Sequence, residues 1–347
     1  MKKHLWILLI GAPAFAIFLA ALKVYYTIAI WTYQGKPQIF EVKAGESFAK
    51  INGRLYRSEF IPSAKLFYRY CKTQGLMTKF KTGRYEIKPG DTMLDVIETL
   101  TVGKSITTSV TIPEGKNLFE VAEILESKGI CSKSEFINAA KNPALTKKLN
   151  IPADRFEGYL YPDTYGLTEG MPAEEVIKAL VSNFNRQIKS IDFSNAPNGL
   201  NKHQIIILAS IVEKETGARE ERPIIAGVYH NRLERKMRLY SDPTTIYGIW
   251  ESWNGNLRKK HLQEKTEYNT YRMGGLPKGP IANPGLEAIK ATLSPSKHNY
   301  TYFVSKNDGT HVFTESYKEH LKAVDYWQKN RANRKGKSWR QLDKSKR

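Results

Sequence analysis

The chain has 347 residues, with 54 Lys and Arg against 34 Asp and Glu, for a net charge of +20. Its two cysteines, Cys71 and Cys131, lack metal-ligand spacing. No His-Glu-x-x-His pair or glycine-rich phosphate loop is present either, so the sequence argues against a metal or nucleotide site. The two cysteines can form one disulfide or remain two thiols.

Met-Lys-Lys-His opens the chain, and residues 5 to 22 run apolar without a charge. That length suits a membrane-spanning helix, with Tyr25, Tyr26, Trp31 and Tyr33 as an aromatic flank at its far end. Lys2 and Lys3 precede the run, which places residues 1–4 in the cytoplasm and the chain beyond the span on the extracytoplasmic face. The apolar run is longer than a cleaved signal peptide needs and lacks a small-x-small site after it, so it reads as a retained anchor over residues 5–31. About 310 residues remain beyond it, enough for two or three domains. The exported positive charge then faces anionic surfaces, phospholipid headgroups or cell wall, and not nucleic acid. A basic tail over residues 329–347 sets nine cationic residues against Asp343 alone.

Residues 32–39 read as a short linker. A repeat comes next: Phe40 to Phe48, Tyr85 to Met93 and Val110 to Leu118 each read as a strand, a glycine turn and a polar helix cap. In the second copy Met93, Val96, Ile97 and Leu100 recur at helical spacing and make one apolar face. Strand, turn and capped helix over residues 40–105 resemble the LysM-like module, which implies either contact with N-acetylated glycans or a spacer.

From Phe156 the texture changes. Glu157 to Tyr165 is dense in aromatic and polar groups, and helices are predicted over 173–190, 202–216 and 221–235. Segments 300–304 and 310–313 flank Asn307-Asp308-Gly309, a hairpin signal. The predicted architecture is α+β: one transmembrane helix, a small α/β module, then an α+β domain over residues 106–328 that carries a helix-borne Glu.

That Glu lies in Leu208 to Gly217, an apolar helix ending in Glu213-Lys214-Glu215-Thr216-Gly217. Residues i and i+2 do not share a helix face, so only one of Glu213 and Glu215 addresses a given cleft. Glu215 is nearer the helix end, where a partly desolvated carboxyl keeps its proton near neutral pH. Glu213 is expected to pair with Lys214 or Arg219, or to orient the local network.

Seven motifs occur in order: Leu208 to Gly217, Ala226 to Leu233, Met237 to Gly248, Tyr268 to Tyr271, Gly275 to Gly285, Tyr302 to Val304, and His311 with Phe313. Together they resemble the YceG-like (MltG) endolytic murein transglycosylases over residues 1 to about 328. The resemblance implies that Glu215 is the catalytic acid. It implies cleavage of the β-1,4 bond from N-acetylmuramic acid to N-acetylglucosamine, leaving a 1,6-anhydro end and limiting strand elongation. The sugar's own C6 hydroxyl attacks, so one carboxyl suffices and neither a cofactor nor a metal is needed. Penicillin-binding cell-wall synthases are the implied partners, with peptidoglycan strands as substrate at the cytoplasmic membrane.

Glu213, Asn231, Ser241, Asp242, Thr244, Thr245, Tyr268, Asn269 and Thr270 are candidates for lining the glycan cleft or orienting Glu215. Each has a competing capping or turn role; Ser241-Asp242-Pro243 reads equally as a helix start. Tyr229 and Ile225 fall at core positions. Two other readings stay open: a non-catalytic glycan-binding scaffold, and a hydrolytic muramidase using Asp242 as its second carboxylate.

Overall fold

A computed structural model describes residues 11–43, 45–103, 105–215, 217–330 and 333. The N-terminal tetrapeptide, the first part of the apolar run, Thr216 and nearly all of the basic tail lie outside the described residues. The chain is a mixed α/β protein, mostly helical, whose described strands form three two-stranded sheets. It divides into two units, Met1–Ser109 with Gly166–Pro172, and Val110–Tyr165 with Ala173–Arg347.

In the first unit, α1 (Ala12–Tyr25) continues through a π-helical turn, Tyr26–Ile30. This 19-residue stretch, Ala12–Ile30, is long and apolar enough to cross a membrane, and none of it is buried in the protein. Pro13 sits in its first turn, where no intrahelical N–H is required.

The chain then enters a folded core directly. Strand β1 (Gln38–Val42) pairs antiparallel with β2 (Gly83–Ile87), with Phe40 opposite Tyr85. Their alternating Phe40, Val42, Tyr85 and Ile87 point inward. Three helices cover that face: α2 (Phe48–Arg57), α3 (Ala64–Thr73) and α4 (Met93–Thr101).

The expected linker over 32–39 is not free. Thr32 bridges Thr92, Tyr33 N–H donates to Asp91 O at 2.8 Å, and Gly90 N–H donates to Tyr33 O at 2.8 Å. The Tyr33 ring is buried edge-on against Phe60 at 5.1 Å, and Trp31 and Ile28 pack on the same core. A large aromatic ring with a core to enter outweighs the polar, turn-prone residues around it.

The repeat is structurally real in each copy. Gly45, Gly90 and Gly115 all adopt positive φ, the left-handed geometry that a strand-to-helix turn requires. Thr92 caps α4 through a box with Asp95, and Asn117 caps α5 (Leu118–Ser127) through one with Glu120. The third copy begins at β3 (Thr108–Thr111). Strands β3 and β4 (Thr164–Leu167) pair with each other and carry the chain from one unit to the other.

In the second unit, α5 packs on α6 (Lys133–Ala140), followed by α7 (Pro143–Lys148). Helix α6 in turn packs on α8 (Ala173–Gln187). The centre is α9 (Lys202–Glu215), buried continuously from Ile205 to Glu213. A helix apolar around its whole circumference must be enclosed. Three helices enclose it: α10 (Arg222–Glu234), α11 (Asp242–Gly248) and, beyond the short α12 (Lys259–Gln263), α13 (Leu286–Leu293). Gly227 within α10 gives up helix propensity for close approach, since a Cβ there would lie 2.6 Å from Ser296 O. The hairpin of β5 (Tyr302–Ser305) and β6 (His311–Thr314) turns at Asn307 and Gly309, both at positive φ, as the Asn-Asp-Gly signal predicts. Helix α14 (Tyr317–Val324) packs on that hairpin. Cys71 is buried and Cys131 half-buried; both are free thiols, pushed up by burial to about 12 and about 11.

Candidate active site

Glu215 is the last residue of α9, so the buried helix delivers its carboxyl to the helix end. Part of the side chain opens on a cleft while protein surrounds the rest. Tyr229 Oη on α10 donates to Glu215 Oε1 at 2.7 Å, and Ser241 Oγ donates to the same oxygen at 2.5 Å. Burial is the largest influence on this carboxyl and raises its pKa above 4.5. The two hydroxyl donors and Arg232 oppose that rise, and Asp242 adds to it.

The cleft beside Glu215 has a volume of about 680 Å³. Its charged lining is Glu215, Arg232 and Asp242, and its walls are Tyr240, Tyr271, Tyr302, Phe303, Tyr317 and His320. Tyr240 takes a φ of +48°, which places its ring 5.4 Å from that of Tyr271. Tyr271 Oη donates to Asp242 Oδ1 at 2.7 Å and so orients the exposed carboxylate. Flat aromatic faces with a few polar and charged groups suit a ring-shaped ligand.

Glu213 faces away from this chemistry. Its Oε1 accepts from Arg222 Nη2 at 2.6 Å and its Oε2 from Gly285 N–H at 3.0 Å. The expected pairing with Lys214 or Arg219 is replaced by Arg222, because both α9 and α10 bury these positions. Lys214 Nζ instead donates to Gly115 O at 3.1 Å. Burial raises the Glu213 pKa, with Arg222 and the Gly285 N–H opposing.

The other candidates separate into two groups. Asp242 lines the cleft and buried Ser241 reaches Glu215 beneath it, and Ser241 also begins α11. It does so without a side-chain cap, since its hydroxyl is committed to Glu215. The remainder do not line the cleft. Asn231 Nδ2 donates to His298 O at 2.8 Å and to Tyr300 O at 2.9 Å, pinning the chain before β5.

Thr244, Thr245, Asn269 and Thr270 are fully buried. Thr270 Oγ1 accepts from Ser241 N–H at 3.0 Å and lies 2.8 Å from Thr244 Oγ1. Thr245 Oγ1 donates to Asn269 Oδ1 at 3.0 Å, and Asn269 Nδ2 donates to Glu264 O at 2.7 Å. They form a scaffold under Ser241 that satisfies backbone groups in a loop-rich region. Tyr268 packs edge-on against Tyr247 at 4.7 Å. Buried Glu157 meets Leu118 N–H at 3.0 Å and Asn283 Nδ2 at 3.2 Å, and desolvation raises its pKa to about 8.

Sequence reasoning missed Tyr229 and Arg232 as members of the site. Tyr229 is indeed buried, as its spacing predicts, but a buried phenol needs a partner, and Glu215 supplies it. The motif from Gly275 does not meet the Glu215 cleft. Gly275 to Lys278 line a second cavity of about 730 Å³ with Asn198, His203 and Glu234. Ile281 and Gly285 brace α9 through Ser210 and Glu213. Among the described residues no group of three His, Cys, Asp or Glu is gathered to hold a metal ion.

Taken together, the site is a largely enclosed carboxyl, held by hydroxyls at the end of a core helix and open to an aromatic cleft that Asp242 shares. A family model described as the YceG-like family matches residues 40–326, and the chain belongs to that family. It is 32% identical over 303 residues to a Bacillus subtilis protein named endolytic murein transglycosylase, covering 82% of this chain and 83% of that one. A Streptococcus pneumoniae protein of the same name is 26% identical over 314 residues, covering 82% of this chain and 57% of its own. The crystal structure of a YceG-like protein from Listeria monocytogenes is similar with a TM-score of 0.57 and 29% identity, covering 83% of this chain and 99% of that one.

Proposed function

We propose that this chain is an endolytic peptidoglycan lytic transglycosylase that cuts the N-acetylmuramic acid to N-acetylglucosamine bond and leaves a 1,6-anhydro end. The relatives' name supports the reaction. The carrying observation is the hold on Glu215, in which two hydroxyls donate to Oε1 and leave Oε2 as the oxygen able to bear a proton.

Glu215 acts as general acid and then as general base. Burial favours its protonated form, and it gives that proton to the leaving glycosidic oxygen. As a carboxylate it is stabilised by Tyr229, Ser241 and Arg232. It then takes the proton of the C6 hydroxyl as that oxygen closes on C1. The nucleophile belongs to the sugar, so one carboxyl completes the cycle.

Residues 12–30 serve as a single membrane anchor with the catalytic unit on the extracytoplasmic face, and the strand–turn–helix copies before residue 105 serve as a LysM-like module. Cutting nascent strands there would end their elongation beside the penicillin-binding synthases that make them.

A hydrolytic muramidase is the second reading, favoured by Asp242 in the same cleft. The test is mass spectrometry of peptidoglycan strands incubated with the protein and with its Glu215→Gln variant. Internal cuts with anhydro ends, absent in the variant, are the expected result. Products heavier by one water point to the hydrolase, and cutting by Glu215→Gln near the unaltered rate overturns the assignment.

A further inference from the structure

Arg232 is a buried cation of the cleft with no ion pair among the described residues. Only 6% of it is exposed. Its Nε donates to Thr301 O at 2.6 Å and its Nη1 donates to Leu239 O, and both acceptors are neutral carbonyls. The rings of Tyr229, Tyr302 and Phe303 surround the guanidinium at 5.7, 5.7 and 5.8 Å. Arg222, on the same helix, is neutralised by Glu213, whereas Arg232 forms no ion pair among the described residues. Two anchors fix the plane of the fork through Nε and Nη1, and the side chain lines the cleft.

A desolvated cation without a counter-ion is costly, and ring faces offset little of that cost. The two carboxyls sharing the cleft do not remove the deficit. Glu215 is held by the Tyr229 and Ser241 hydroxyls, and Asp242 is exposed and held by Tyr271, so neither pairs with the guanidinium. A substrate carboxylate would give the guanidinium the direct ionic partner that the protein does not. Muramic acid differs from glucosamine by a lactyl ether ending in a carboxyl.

We propose that Arg232 is a carboxylate subsite, recognising an anionic group carried on the muramic acid side of the scissile bond. The inference rests on the glycan reading of the cleft. The carboxylate has two sources: the lactyl group itself on peptide-free strands, or the acidic residues of an attached peptide. A planar guanidinium with fixed orientation takes either in a forked pair.

The experiment uses the full chain carrying Glu215→Gln, which binds without turnover and mimics the neutral acid. Affinity is measured for four-sugar strands with a free lactyl carboxylate, with the lactyl group as its uncharged methylamide, and with a short acidic peptide attached. At least one anionic strand should bind about tenfold or more tightly than the methylamide, the scale of a charge-assisted hydrogen bond. Which anionic strand wins identifies the source. Adding Arg232→Gln should erase the preference, and Arg232→Lys should restore part of it.

Equal affinity for all three strands overturns the subsite, as does a folded Arg232→Gln protein that keeps the preference. Where Arg232→Gln fails to fold, the three-strand comparison in the Glu215→Gln protein decides alone. No binding of any strand overturns the glycan reading itself, a different result from equal binding.

Discussion

Glu213 and Glu215 leave the same helix two residues apart, about 200° around its axis, and meet opposite surroundings. Glu213 is paired in the interior with Arg222 at 2.6 Å, whereas Glu215 meets only hydroxyl donors and an open cleft. One carboxylate is spent on structure so that the other can be left uncommitted.

Glu213→Gln should therefore damage stability and spare chemistry. It leaves the buried Arg222 guanidinium only the longer, partly exposed contact to Glu114 at 3.5 Å, a loss of up to about 3 kcal/mol, the lower end for a broken buried pair. Denaturant unfolding reads the first effect, and turnover per folded molecule reads the second. Unaltered stability would mean that the pair does not hold the two helices together.

Tyr229→Phe and Ser241→Ala should each move the pH profile. Donors to a carboxylate favour its charged form, so removing one raises the Glu215 pKa further. The acid then survives to higher pH, and the alkaline limb of kcat shifts upward by about one unit, given the strength of a hydrogen bond to a charged group. KM should change less than kcat. A profile that stays in place while activity falls would reduce both residues to packing.

Glu157 should make stability decline as pH rises. Its folded carboxyl titrates near 8 against an ordinary 4.5, so the native state holds a proton that the unfolded chain has released between those values. Stability is then lost at about 1.4 kcal/mol per pH unit across that window. Unfolding followed from pH 4.5 to 8 should show this slope, and Glu157→Gln should flatten it. An equal slope in both proteins would show that other groups set the dependence.

The helical frame was legible because its signals are local. The predicted helices at 202–216 and 221–235 stand at Lys202–Glu215 and Arg222–Glu234, and the Asn-Asp-Gly turn closes the hairpin it predicts. The place of Glu215 at an apolar helix's end was legible, while its reading as the acid came from the family resemblance. The division of labour among the polar motif residues was not. Thr244, Asn269 and Thr270 look like ligand contacts in one dimension, because an interior loop and a sugar demand the same hydroxyls and amides. Tyr229 presented the reverse problem: helical spacing reports that a side chain is inside, not whom its hydroxyl meets. The apparent linker at 32–39 hid Tyr33 because burial there depends on Phe60, far along the chain.

Helix α9 is enclosed from Ile205 to Glu213, and Glu215 lies just beyond. Displacing the body of that helix means pulling a run of Ile, Leu and Val from the interior, each side chain worth about 1.5–3 kcal/mol. Amide exchange along α9 should proceed only through opening of the entire unit, and partial damage by heat or denaturant will leave few molecules that are intact yet inactive. A cell holding such an enzyme has copies that cut and copies that are gone, with little between.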